Sequence, residues 1–257
     1  MIYGLYLSAS GAAANMARLD VASNNLSNVA TVGFKPDFLP VRQREVVRAE
    51  DDLPFADSNA LLEHLGGGVQ PMATRIALTQ GPLELTHNSF DVGLEGQGFF
   101  EVQRGKGADG VHLTRDGRFT LDASGRLVTV TEGAAVLDHR GSPIRLDPSR
   151  PVSIGSDGTI SQNNAPVARL AVVTVDDPDR MTKMGSNAFK PDPEVMAQRR
   201  PSLARVVQGA VEASGTNSVQ ALMDATGASR GAQGNFGMIG IFNDILDSAI
   251  NTLGRVS

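Results

Sequence analysis

The chain has 257 residues, 41% of them hydrophobic and 20% charged, with a formal net charge of −5 and neither cysteine nor tryptophan. That length buries a substantial core as one large or two smaller domains. The composition excludes disulfides and thiolate chemistry and gives no global attraction to nucleic acid. No apolar run approaches the roughly eighteen residues of a membrane span. The N-terminus also lacks the basic start and continuous apolar stretch of a cleavable secretory signal, so export is expected to use a route that reads no such signal.

The first predicted element is a helix over residues 4–28. Leu5, Ala9, Ala12, Met16, Leu19 and Leu26 fall at alternating steps of four and three, with Ser23 in the one missing slot. Such a seam of small and apolar residues has coiled-coil spacing and needs a partner. Asn24, Asn25, Ser27 and Asn28 crowd its end, where Asn tolerates the left-handed conformation that closes helices. Gly33 is placed to take a positive φ and Phe34 to act as an anchor.

Residues 35–68 change character. Pro36, Pro40 and Pro54 interrupt regular structure and 42–52 is dense in mixed charge, which predicts an extended arm or linker. A short helix is expected at 59–65, closed by Gly66-Gly67-Gly68. From 69 to 175 short strands alternate with turns. The strands are expected at 69–78, 90–94, 99–103, 111–114, 118–121, 127–131, 152–154, 159–161 and 167–175. Asp109-Gly110, Asp116-Gly117, Ser124-Gly125, Glu132-Gly133 and Asp157-Gly158 supply the positive φ that tight hairpins demand. With no helical periodicity, this stretch reads as an all-β domain of Greek-key or barrel-like type.

Residues 176–207, with Pro178, Pro191, Pro193 and Pro201, read as an irregular return arm. Beyond 208 the heptad spacing returns through Leu222, Ala225, Ser229, Ala232, Phe236, Ile239, Asn243, Leu246, Ile250 and Leu253. This second seam is the expected partner of the first. It also carries Gly227, Gly231, Gly234, Gly237 and Gly240, each costing roughly 1 kcal/mol against Ala in a helix interior. The segment is therefore expected to be weak alone and built for assembly. The fold class predicted is α+β: paired N- and C-terminal helices forming a coiled-coil-like inner domain, with a central all-β domain. The divisions are 1–34, 35–68, 69–175, 176–207 and 208–257.

Chemistry finds no foothold. His64, His87, His112 and His139 are scattered, with no second ligand at metal-site spacing. Gly93-Leu94-Glu95-Gly96-Gln97-Gly98 has the glycine density of a phosphate loop but neither its Lys nor a following helix. Asp116-Gly117 and Asp157-Gly158 do not continue as a calcium loop. No catalytic residue, metal ligand or cofactor is assigned.

A family likeness emerges from the motifs taken together. Residues 23–35, SNNLSNVATVGFK, resemble the NNLANxxTxGFK signature of the rod and hook group of bacterial flagellar axial proteins. The resemblance continues through TQGPL at 79–83, NSFDV at 88–92, GQGFF at 96–100, the hairpin 114–129, the stretch 154–161 and QGAVEAS at 208–214. Length is similar to the basal-body rod proteins that carry one β domain, distal or proximal. The C-terminal segment departs from the family, with Gly215-Thr216-Asn217 where Asn-Val-Asn is usual and a glycine-rich run from Ala228 to Gly234.

The resemblance implies a structural, non-enzymatic subunit of the flagellar rod, exported through the flagellar type III apparatus without a cleaved signal and sited in the periplasmic basal body. Its implied partners are copies of itself, other rod and hook proteins and the export apparatus, with no nucleic acid and no membrane insertion. Leu5, Met16, Leu19 and Leu26 are expected to pack against Phe236, Ile239, Leu246, Ile250 and Leu253, within and between subunits. Asn24, Asn25, Asn28, Gly33 and Phe34 are expected to fix the exit of the first helix. The alternatives are a hook or other axial component, a secreted β-domain binding module or carbohydrate-active enzyme with a helical stalk, and a soluble oligomer held by a terminal coiled coil.

Overall fold

The computed structural model describes residues 2–45, 66–105 and 110–253; the helix expected at 59–65 lies outside them. Helix and strand are mixed, with a helix at each end of the chain and a central β region. Contacts divide the chain into two compact units. One contains 1–27, 37–75 and 218–257, the other 28–36 and 76–217.

The first unit is built on helix α1 (Ile2–Ser27) and a 36-residue helix at Ser218–Leu253, which becomes α3 once the short α2 (Pro193–Ala197) is numbered. The two long helices run antiparallel. A Cβ at Gly4 would run into the Phe242 ring, one at Gly11 would lie 2.9 Å from Asn235, and one at Gly231 2.7 Å from Asn15. Large side chains of one helix thus sit where the other has no side chain. On α3 a stripe of less exposed positions runs through Ala221, Ala225, Ala228, Ala232, Asn235, Ile239, Phe242, Leu246 and Ala249, again alternating four and three, with Ser229 and Gly231 half-buried beside it.

This face departs from the expected one at several steps, although the expected Ser229 is half-buried. Ala225, Ala232, Ile239 and Leu246 are shared, but Leu222, Phe236 and Ile250 point outward, Phe236 and Ile250 being 51% and 67% exposed. On α1, Met16 is 50% exposed and Ala9 is exposed, while Ser8, Ala12, Ala14 and Ala22 are buried. The reason is steric. Counting apolar bulk locates the fattest stripe, whereas two helices that close on glycines and alanines turn their thinnest stripes inward. A second neighbour contributes on α1. Strands Val41–Gln43 and Val69–Pro71 pair antiparallel, the Val69 amide approaches Ser10 Oγ at 3.4 Å, and a Cβ at Gly68 would meet Ser10 and Leu7. The stretch expected to be an arm therefore holds a paired strand, Val41–Gln43, whose partner Val69–Pro71 begins just after it.

The second unit is organised around strand Phe99–Gln103. It pairs antiparallel with Val111–Thr114, Ala135–Val136 and Val172–Thr174 within a sheet of nine strands among the described residues. Successive side chains of a strand point to opposite faces, and here both faces are buried. Phe100 stacks edge-on against Phe119 at 5.2 Å in a cluster with Val92, Leu94, Val102, Leu127 and Ile160. Phe99 meets Phe189 at 5.5 Å in a second cluster with Leu113, Val173 and Met181. The hairpin joining Phe119–Leu121 to Leu127–Thr129 is closed by Asp122. Its Oδ1 accepts the Ser124 and Arg126 amides at 2.8 and 2.9 Å, and Gly125 takes φ +74°.

Several strands lie where none was expected. Residues 176–207 are not an irregular arm: they hold Met181–Lys183 paired with Ala188–Pro191, the helix α2, and Arg205–Gln208 paired with Val92–Glu95. Residues 208–217 are not helical, since Ala210–Glu212 pairs with Leu83–Leu85 and α3 begins only at Ser218. Two tight turns outside the expected set carry positive φ on residues other than glycine: Asn163-Asn164 (φ 52° and 62°), and Ser186-Asn187 (φ 48° and 57°) directly after Gly185 (φ 80°).

The inward face of α3 is directly testable. Ala232→Asp, which buries an unpaired charge, is expected to cost the isolated subunit about 2–3 kcal/mol and melt the helical signal early in far-ultraviolet circular dichroism. Phe236→Asp should leave that melt within about 0.5 kcal/mol of the parent. Equal effects at the two positions would return the seam to its sequence-based register.

Candidate functional site

The expected site residues fall into two groups. Leu5, Leu19 and Leu26 on α1 and Ile239 and Leu246 on α3 are half-buried, Met16, Phe236 and Ile250 are exposed, and the backbone of Leu253 ends α3. The rest cluster at the end of α1. Asn25 bridges to Asp37 with two hydrogen bonds, its Nδ2 donating to the Asp37 carbonyl at 2.7 Å and its Oδ1 accepting the Asp37 amide at 2.9 Å. An Asn at this position so mimics a strand partner for the returning chain. The Asn24 carbonyl accepts the Ser27 hydroxyl at 2.8 Å, and Asn28 accepts both the Thr31 amide and its hydroxyl.

From Asn28 the chain belongs to the β unit, and residues 32–35 are gripped from several sides. Gly33 has φ +70°, and a Cβ there would lie 2.6 Å from the Arg115 backbone, so the position requires glycine. Its amide donates to the Glu212 carbonyl at 2.7 Å. Asn187 Nδ2 donates to the Val32 carbonyl at 2.5 Å, and the Gly215 amide to the Phe34 carbonyl at 2.9 Å. Phe34 is buried, with Lys183 Nζ 4.5 Å from its ring centroid while the same ammonium donates to the Lys35 carbonyl at 2.6 Å.

At the centre lies an ion cluster that the sequence did not single out. Lys35, Arg115 and Glu212 are all under 5% exposed. Lys35 Nζ donates to Glu212 Oε1 at 2.5 Å and to the Thr79 carbonyl at 2.9 Å. Arg115 Nη1 donates to Glu212 Oε2 at 3.0 Å and its Nη2 to the Gly96 carbonyl at 2.7 Å. The Gly81 amide completes the set, donating to Oε1 at 2.8 Å. The cluster around this carboxylate therefore ties five separated stretches together, four directly and the fifth through Arg115. Each comes from a block on which the family resemblance rested: TVGFK, TQG, GQG, TRDGR and VEA. Next to it Arg118 grips the buried Asp116 through two bonds of 2.9 and 2.7 Å, which raises the guanidinium pKa chiefly through the hydrogen bonding. Asp116-Gly117 is thus a turn held by its own arginine. Among the described residues, no group of three or more His, Asp or Glu gathers to hold a metal.

Burial sets the energetics. Loss of water pushes the Lys35 ammonium pKa below its ordinary 10.5, against the attraction of Glu212 and with the Arg115 charge adding to the fall. Burial lowers Arg115 too, again opposed by Glu212. The arrangement is asymmetric. Glu212→Gln leaves two buried cations without a counter-charge and is expected to cost about 3–5 kcal/mol in chemical denaturation. Lys35→Met leaves a balanced Arg115–Glu212 pair and should cost clearly less. The unfolded chain binds the Lys35 proton more tightly than the folded one, so stability rises as pH climbs from the depressed value toward 10.5 and is fully regained only above it. Lys35→Met should abolish that slope, as denaturation midpoints taken across this alkaline window will show.

Comparison with known proteins matches these parts of the chain separately. Residues 5–35 match the family described as flagella basal body rod protein, and residues 93–162 match the flagellar hook protein FlgE/F/G D1 domain. The flagellar basal-body rod protein FlgF of Caulobacter vibrioides is 33% identical over 242 residues, covering 93% of both chains. The FlgF of Mesorhizobium japonicum is 29% identical over 98% of both chains. The rod protein FlgG of Buchnera aphidicola subsp. Acyrthosiphon pisum is 32% identical over 87% of this chain and 89% of its own. With the terminal signature, the β-domain match and the near full-length relatives in agreement, the chain belongs to the flagellar basal-body rod protein family.

Proposed function

We propose that this chain, a structural subunit of the bacterial flagellar basal-body rod, assembles through its terminal helices into a helical tube that transmits torque from motor to hook. The observation that carries the assembly step is the apolar surface on the outer faces of those helices. Tyr6 and Met16 on α1 and Leu222, Met223, Phe236, Ile241 and Ile250 on α3 are all exposed. Contiguous apolar surface on a subunit marks an interaction face, and a contact between two different faces that does not close makes a filament. The glycines add to this. A Cβ at Gly227, Gly234, Gly237 or Gly240 would meet nothing within 4 Å among the described residues, so these positions leave room for a neighbour's backbone.

In this reading the pair α1 and α3 acts as a coiled-coil-like inner domain. Leu5, Leu19, Leu26, Ile239 and Leu246 secure the pair, while Met16, Phe236, Ile250 and Leu253 serve contacts between subunits. Asn24, Asn25, Asn28, Gly33 and Phe34 set the path of the chain out of α1. Family membership places the protein in the flagellum, among other axial proteins. Export by the type III apparatus without signal cleavage, a periplasmic position, no insertion into the membrane and the absence of catalysis are parts of the same proposal.

The inner and outer faces separate the test. Leu246→Asp and Leu19→Asp are expected to block polymerisation while the β unit stays folded. Phe236→Asp should block it with the helical pair intact. Sedimentation and electron microscopy of the purified subunits read this out, and filament formation by all three variants at the parent's rate would overturn the assembly role.

A further inference from the structure

The Lys35–Glu212–Arg115 cluster is short of negative charge and of hydrogen-bond acceptors. Lys35 Nζ has three hydrogens, of which Glu212 and the Thr79 carbonyl take two. Arg115 Nη1 and Nη2 reach Glu212 and the Gly96 carbonyl, but its buried Nε has no acceptor among the described residues. Two cations face one carboxylate, so the cluster carries a net charge of about +1 in a place where an uncompensated charge is costly.

A cavity of about 270 Å³ adjoins it, lined by both cations together with Phe99, Thr174 and Gln97. At about 30 Å³ per water it has room for a small ion with attendant water. The Arg115 guanidinium lies over the Phe99 ring, 5.4 Å from its centroid, which holds the cation against this wall. The acid in the lining is Asp176, half-exposed and engaged by Arg200 Nη2 at 3.2 Å.

We propose that this cavity is a binding site for one small monovalent anion, of halide or carboxylate size, held by Lys35 Nζ and Arg115 Nε. Unused N–H donors on both cations and a single excess positive charge suit such an ion. The bound anion completes the charge balance around Glu212, and with it the attachment of residues 33–35 to the β unit.

The test uses the full chain at constant sodium concentration and ionic strength, exchanging lactobionate, an anion too large for the cavity, for chloride, bromide or formate. The expected result is a saturable stabilisation, with the folded-to-unfolded ratio about elevenfold higher at a tenfold excess over Kd. Lys35→Met, which brings the cluster to zero net charge, should lose the response, while Arg205→Gln at the surface should keep it. Crystals grown in bromide should show an anomalous peak in contact with Lys35 and Arg115, a measurement that needs no variant. A linear, unsaturable salt response overturns the site, as does a saturable one that survives in Lys35→Met or a bromide-free cavity.

Discussion

Glu212 is where the β unit closes. Its carboxylate accepts from Lys35, Arg115 and the Gly81 amide, and its own carbonyl accepts from Gly33. Buried ion pairs contribute little net stability, because desolvation offsets most of the attraction, but a missing partner is severely penalised. The cluster therefore acts as a register lock. A slip of one residue in 32–35 would remove the ammonium from Glu212, place a side chain where only Gly33 fits against the Arg115 backbone, and withdraw Phe34 from Lys183. Competing packings are disfavoured more than the native one is favoured.

The same fact redraws the boundary of the β unit. Most of its hairpins fall within 69–175, the limits that turn dipeptides suggest, yet those limits omit the hairpin at 181–191 and both Lys35 and Glu212. A fragment so cut would keep Arg115 and lose its counter-charge, together with strands Arg205–Gln208 and Ala210–Glu212 and the partners they give Val92–Glu95 and Leu83–Leu85. The closing segments come from either side of the hairpin region. This disfavours a self-contained binding module on a helical stalk.

What could be read from the sequence follows the range of the physics involved. Strands Phe99–Gln103, Val111–Thr114 and Val152–Ile154 were legible to the residue, because alternation and glycine turns act locally. Gly33's positive φ was legible from its setting. Glu212 was not, since a lone acid in a strand is ordinarily solvated, and its partners stand 97 and 177 residues away. The one available signal was indirect: Lys35, Arg115 and Glu212 each stand inside a block that carries the family resemblance. The strands at 181–191 were hidden by the prolines and charges around them, although Gly185-Ser186 at their turn is a hairpin dipeptide.

The helices give the opposite lesson, since heptad counting found both elements and half of one face. Where Gly4 receives Phe242, Gly11 receives Asn235 and Gly231 receives Asn15, close approach comes from the absence of side chains, which a count of apolar bulk passes over. The bulk so displaced is turned outward on α3, at Leu222, Phe236 and Ile250. Four of the five α3 glycines meet nothing within the described subunit, and each weakens the helix by roughly 1 kcal/mol relative to alanine. Among the described residues no contact offsets that cost, whereas Gly231 has Asn15 against it. A helix with exposed apolar side chains and bare backbone gains from both only when another helix lies against it. This is the physical argument that links an unusual glycine-rich C-terminus to assembly.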